Sequence, residues 1–325
     1  MTTTATNHPL RVALLAGGRS GEREVSLAGA RGVEQALDPA KYQVKRYDPA
    51  TDMARLAAEA GEIDVVFILL HGRFGEDGTV QGFLDLLGLP YQGSGVLGSA
   101  LAMDKDCAKT LYRVHGLPVS PWRMATPADA QDPAALLSEL SLPLVVKPVR
   151  QGSSLGMSIA HSESELASAI AKAFQYDQEV MVEEFVKGRE ITVGVIGNEQ
   201  LTALPLVEII PGEAHPFFDY AAKYQAGASK EVCPAELPEE ISRLAQGYAL
   251  TAHRALKLKG YSRTDMIVSA NGLVVLETNT IPGMTPTSLL PQAAAAAGLP
   301  FAALLDRLLA LALEGRRPPA EVSAA

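Results

Sequence analysis

Over the first hundred residues, short apolar runs alternate with longer amphipathic stretches. After its first residue, Arg11 to Ala16 carries no polar interruption, and Val65 to Leu70 carries none at all, the pattern of strands buried on both faces of a parallel sheet. Each run stops at a turn signal, Gly17-Gly18 or His71-Gly72. The segment to about Leu37 and another after the polar stretch Arg73 to Gly78 read as helices, and Leu89-Pro90-Tyr91 starts a short strand. Open sheets of this kind hold ligands beyond the carboxyl ends of their strands, where both glycine turns lie.

Near Pro118 the pattern changes. Leu142 to Lys147 and Val180 to Phe185 read as strands around a helix at Ser164 to Phe174. Turns at Lys187-Gly188 and Gly197-Asn198 bracket Ile191 to Ile196, as in a hairpin. Further on come strands near Thr202 to Ile210, Asp265 to Val268 and Leu273 to Glu277, a long loop around Pro211 to Pro234, and a helix from Glu239 to about Leu258. Leu304, Leu305, Leu308 and Leu309 form the packing stripe of a last helix. The chain thus reads as an α/β and α+β multidomain protein with units at residues 1–110, 111–200 and 201–325.

Composition narrows the class. With 325 residues, 47% apolar and 20% charged, the chain is globular. A formal charge of -9 argues against a nucleic-acid or anionic-membrane surface. Cys107 and Cys233 make no disulfide framework, and Met1 to Pro9 lacks the marks of a signal peptide, which fits a cytoplasmic location. Pro291, Gly298 and Pro300 interrupt the most apolar tract, so no membrane span is expected.

Candidate chemistry lies mostly at strand ends. Glu277 and Asn279 follow the apolar run Val274 to Leu276 and share one face of an extended chain. Asp265 joins that face if it lies opposite Glu277. This requires a three-residue loop at Ala270-Asn271-Gly272, or a bulge that makes the same change of parity. Two carboxylates and an amide oxygen suit Mg²⁺ beside phosphate; such residues also occur as polar strand ends at a sheet rim. Lys147 ends a strand before the loop Gln151 to Met157, whose glycines and hydroxyls admit phosphate, although this is no Walker sequence. Glu183 and Glu190 bracket a turn with Phe185 between them, suited to a ribose or amino group and to stacking, or to a solvated edge. Glu22 and Ser26 follow the first glycine turn, and His71 ends an apolar strand as either a site residue or a structural one.

These segments, taken together and in this order, resemble the D-alanine–D-alanine ligases of the ATP-grasp superfamily. The matching stretches are Gly17 to Ser26, His71 to Gly78, Met103-Asp104-Lys105, Lys147-Pro148 with Gly152-Ser153-Ser154, Lys223-Tyr224, Arg263 to Asp265, and Glu277 to Thr285. The resemblance implies an ATP-grasp fold behind an amino-terminal doubly wound domain, with ATP and two Mg²⁺ ions, Mn²⁺ being an alternative. It implies that Lys105, Lys147, Ser154 and Lys223 lie on the phosphate side of the nucleotide, and Glu183, Phe185 and Glu190 around its adenosine. Asp265, Glu277 and Asn279 match the metal ligands. Glu22 and His71 match the first D-alanine site, while Ser288 and Leu289 match the second. Ser153 and Tyr224 match partners of Glu22, with Tyr224 in a loop from about Phe217 to Gly227. Arg263 and the Gly283 backbone match groups around the reacting carbonyl. It further implies a homodimer making a cell-wall dipeptide, and Lys223-Tyr224 favours an amine as second nucleophile.

Overall fold

The computed structural model describes residues 8–153, 155–212 and 229–314. Three strands, β1 (Leu10–Ala16), β2 (Tyr42–Tyr47) and β3 (Val65–Leu69), form a parallel sheet in the order β2-β1-β3. Alternation within β1 explains its continuous apolarity. Val12, Leu14 and Ala16 pack toward Ala30 and Val33 of the helix Arg23–Ala36 and toward the last helix, Phe301–Leu313. Ala13 and Leu15 pack on the other face with Leu56, Val80 and Leu84. The expected strand at Leu89 is reduced to one parallel bridge, Val66 with Tyr91.

A second sheet, antiparallel throughout, contains β4 (Trp122–Ala125), β5 (Leu144–Pro148), β6 (Ser158–Ala160) and β7 (Val180–Glu184) in the order β4-β7-β5-β6. The helix Glu163–Ala173 covers one face, burying Leu166, Ala169, Ile170 and Ala173. Ser162 caps that helix by accepting from Glu165 N.

The third sheet takes β8 (Gly188–Gly197), β9 (Thr202–Ala203), β10 (Val207–Pro211), β11 (Ser229–Val232), β12 (Gly260–Ser269) and β13 (Gly272–Asn279). Its order is β11-β10-β8-β12-β13, with β9 also on β8. This corrects the hairpin read at Lys187-Gly188: β8 leaves β7 and pairs with β10 and β12, so the chain changes sheets near residue 187 rather than 200. The physical reason is burial. Ile191, Val193 and Val195 fill the core beneath the helix Glu239–Ala255, with Ala245, Ala249 and Ala252 above them. The long loop expected at Pro211 to Pro234 includes β11, and its middle lies outside the described residues. Among the described residues, no single helix is long and apolar enough to cross a membrane. The bent pair Leu289–Ala296 and Phe301–Leu313 has a suitable composition, but its leucines are core residues.

Candidate active site

An open cleft lies between the second and third sheets, lined by residues of both. Val145, Ile159 and Phe185 line one wall, and Ile267 and Leu276 another, leaving an apolar slot for a flat ring. Lys105, Lys147, Ser153, Glu183, Phe185, Glu190, Asp265 and Glu277 all reach this cleft. Lys105 starts the helix Lys105–Val114, and its Nζ donates to Gln151 O at 2.8 Å, tying that helix to the glycine-rich loop.

The most buried charged residue lining the cleft is Glu183, only 4% exposed. Its Oε1 accepts from Lys147 Nζ; its Oε2 accepts from Lys109 Nζ and from Ser120 Oγ at 3.0 Å. Burial alone would raise this carboxyl, but the ammonium groups of Lys147 and Lys109 outweigh it and hold Glu183 at about 2. Lys109 is absent from the sequence-based candidates. The available signal was its place four residues after Lys105, on the same buried stripe as Ala108 and Tyr112.

On the opposite wall Asp265 lies opposite Glu277, as the shared-face argument requires. The loop explanation is corrected. The turn is a two-residue Ala270-Asn271 connection pairing Ser269 with Gly272, and the parity changes at a bulge, where Asp265/Met266 face Glu277/Val275 and Leu276 is the extra residue. Leu276 and Glu277, neighbours in sequence, therefore both line the cleft. Thr278 points the other way, to Thr264 Oγ1 at 3.0 Å and Tyr112 Oη at 2.7 Å. Asp265 accepts from Arg263 Nε (2.9 Å) and Nη2 (2.8 Å), Thr192 Oγ1 (2.5 Å) and Asn279 Nδ2 (3.1 Å). Glu277 Oε2 lies 3.7 Å from Lys105 Nζ. Among the described residues no group of three or more His, Cys, Asp or Glu gathers as a metal cage. Two carboxylates with an adjacent amide, balanced here by Arg263 and Lys105, are nonetheless a hard-oxygen set that fits Mg²⁺.

A third cluster joins the first sheet to the cleft. Glu22 is buried at the start of the helix Arg23–Ala36, and its Oε1 accepts from Ser153 Oγ. A Cβ at Gly72 or Gly152 would come within 3.1 or 3.0 Å of Glu22 Oε2, so glycine lets both segments close around this carboxylate. His71 is buried beside Glu22, the Ile281 backbone and Arg263, and burial lowers its pKa. Glu76 accepts from Gly72 N (2.7 Å) and Ile281 N (3.4 Å), bridging the first and third units. Gly283 packs on Ser288, a Cβ there meeting Ser288 Oγ at 3.0 Å; Ser288 Oγ in turn accepts from Thr285 N. Leu289 is a buried core residue packed with Leu290 and Ala293. Ser154, Lys223 and Tyr224 lie outside the described residues.

A parallel α/β unit followed by two antiparallel sheets that enclose a lysine-lined cleft is the architecture of an ATP-grasp ligase. Family models described as D-ala D-ala ligase N-terminus and C-terminus match residues 45–94 and 111–310. D-alanine–D-alanine ligases from Syntrophobacter fumaroxidans and Desulfotalea psychrophila are each 59% identical over 94% of this chain, covering 98% and 95% of those proteins. Among solved structures, the D-alanine–D-alanine ligase from Bacillus anthracis complexed with ATP aligns with a TM-score of 0.82 at 34% identity, over 94% of this chain and 97% of that one. A D-Ala:D-Ser ligase from Enterococcus faecalis gives 0.82 at 32% identity, over 94% and 100%. The chain belongs to the D-alanine–D-alanine ligase family.

Proposed function

We infer that the protein joins two D-alanines into D-alanyl-D-alanine with ATP, supplying a peptidoglycan precursor. The observation that carries this reading is the continuity of the site. Glu22 and Ser153, hydrogen-bonded to each other, adjoin an open, partly apolar cleft lined by Lys105, Lys147 and the facing pair Asp265 and Glu277. We assign substrate binding to residues 1–110, nucleotide binding mainly to 111–200, and the reacting centre to 201–325.

A carboxylate is a poor acyl donor. The first D-alanine carboxylate therefore attacks the γ-phosphorus of ATP, forming an acyl phosphate and releasing ADP; the second amine then attacks that carbonyl and expels phosphate. Glu22 is placed to hold the first ammonium, with His71 beside it. Lys105 and Lys147 offset charge on the phosphates, and Glu183, Phe185 and Glu190 receive adenosine. Arg263 and the Gly283 amide stabilise the oxyanion that develops at the carbonyl, the kind of term that often dominates acyl-transfer catalysis. Ser288 approaches the second amino acid, whereas Leu289, being buried, would shape that subsite from behind. Asp265, Glu277 and Asn279 would hold Mg²⁺, which when bound supplies positive charge to the phosphate oxygens. Assignments for Ser154, Lys223 and Tyr224 follow from sequence resemblance. The same reading includes a cytoplasmic homodimer that needs no nucleic acid or membrane.

The test is purified protein with ATP, Mg²⁺ and D-alanine, with D-serine offered as a competing second substrate. D-Alanine-dependent phosphate release and a D-alanyl-D-alanine mass are expected. Phosphate release independent of D-alanine, or a mixed dipeptide as the main product, would overturn the assignment.

A further inference from the structure

Lys109 takes no part in the reaction described above, yet it is 1% exposed and lies directly behind the cleft. A buried ammonium is strongly disfavoured unless charged and polar partners surround it, so its surroundings are informative. Nζ donates to Glu183 Oε2 and to Ser120 Oγ at 2.8 Å, and Ser120 Oγ donates to the same Oε2. The ammonium also sits 5.1 Å from the centre of the Trp122 ring, whose Nε1 donates to Asp106 Oδ1 at 2.7 Å on the same helix as Lys109. Thus one helix holds Glu183 from the side facing away from the cleft and, through Lys105, holds the loop at Gln151 on the near side.

We propose that Lys109 is a positioning residue for the nucleotide: it fixes Glu183 Oε2, so that Oε1 holds Lys147 at the cleft wall with one positive charge left over for phosphate. Two ammonium groups and one carboxylate leave that surplus. Without Lys109, Glu183 and Lys147 would neutralise each other, and the carboxylate would be free to turn. The inference rests on the assignment of the cleft to ATP and adds to it a residue that never touches the ligand.

The experiment compares Lys109→Met, Ser120→Ala and Lys147→Ala with the unaltered enzyme, measuring kcat and the KM values for ATP and D-alanine. Lys109→Met should raise the KM for ATP about tenfold while leaving that for D-alanine within about twofold, a split that general loosening would not produce. Ser120→Ala, which removes the smaller donor to the same oxygen, should move the KM for ATP about two- to threefold in the same direction. If Lys109→Met leaves the KM for ATP unchanged, or raises both KM values together, the proposal fails. Should that variant not fold, an unchanged KM for ATP in Ser120→Ala overturns it. Lys147→Ala separates the two levels: if it too leaves ATP use unchanged, the nucleotide assignment itself is wrong.

Discussion

Glu183 and Glu76 stand at opposite ends of the site, and their surroundings drive them in opposite directions. Glu183 is enclosed between two ammonium groups and held at about 2. Glu76 keeps some contact with solvent, yet its carboxyl is pushed up to about 8, first by burial and then by the neighbouring Glu22 carboxylate; the amides of Gly72 and Ile281 only partly counter this. The nucleotide end is therefore built around a permanent charge. At the end near Glu22 and His71, burial instead favours the protonated form of Glu76, which limits the negative charge beside Glu22. Burial supplies the same push in both places, and the neighbours decide its outcome.

Glu183→Ala leaves Lys109 and Lys147 close together without their counter-charge and should cost about 3–5 kcal/mol of stability by denaturant unfolding. A loss under about 1 kcal/mol would mean that water already screens the pair.

Changing pH sharpens the contrast with a smaller effect, because the two groups have opposite linkage. The lowered pKa of Glu183 gives stability that is present above the ordinary value of 4.5 and is lost as pH falls toward 2. Glu76 has a raised pKa: between 4.5 and about 8 the folded state keeps a proton that the unfolded state has released, so stability falls as pH rises through that window. In Glu76→Gln this decline disappears. Relative to the unaltered protein, the variant should gain about 1 kcal/mol between pH 5 and pH 8, a figure reduced for partial solvent contact. Parallel unfolding free energies across that range would contradict the assignment.

How far the sequence foretells this site depends on whether its signals are local. The glycine turns, the apolar runs of β1 and β3, the stripe on the last helix and the shared face of Glu277 and Asn279 depend on spacing within one element, and each has its expected counterpart in the structure. What was missed depends on partners distant in sequence. Lys109 reads as an ordinary helix lysine until Glu183, 74 residues later, is brought against it. The apparent hairpin at Lys187 is a change of sheet, because the buried row of β8 needs the helix Glu239–Ala255 to cover it. Parity at Asp265 constrained the hairpin to two solutions, and only the β8–β12–β13 register selects the bulge over the longer loop.

That bulge permits a gentler test of the difference between the two ends. Along β13, Leu273 and Val275 face the core while Val274 and Leu276 alternate with them, and the extra residue brings Glu277 onto the cleft side as well. Deleting Leu276 would restore strict alternation from Val275 to Glu277 and still leave Asp265 opposite Glu277, Thr264 opposite Thr278 and Arg263 opposite Asn279. The half-buried leucine is lost, but so is the interruption of the ladder, and stability should change by only about 1 kcal/mol. Activity should divide by region. With Leu276 gone from the apolar wall that it shares with Ile267, the KM for ATP should rise about three- to tenfold, whereas the KM for D-alanine, set around Glu22 and His71, should stay within about twofold. Equal changes in both constants would mean that the bulge sets the distance between the two ends, rather than merely adding an apolar side chain to one of them.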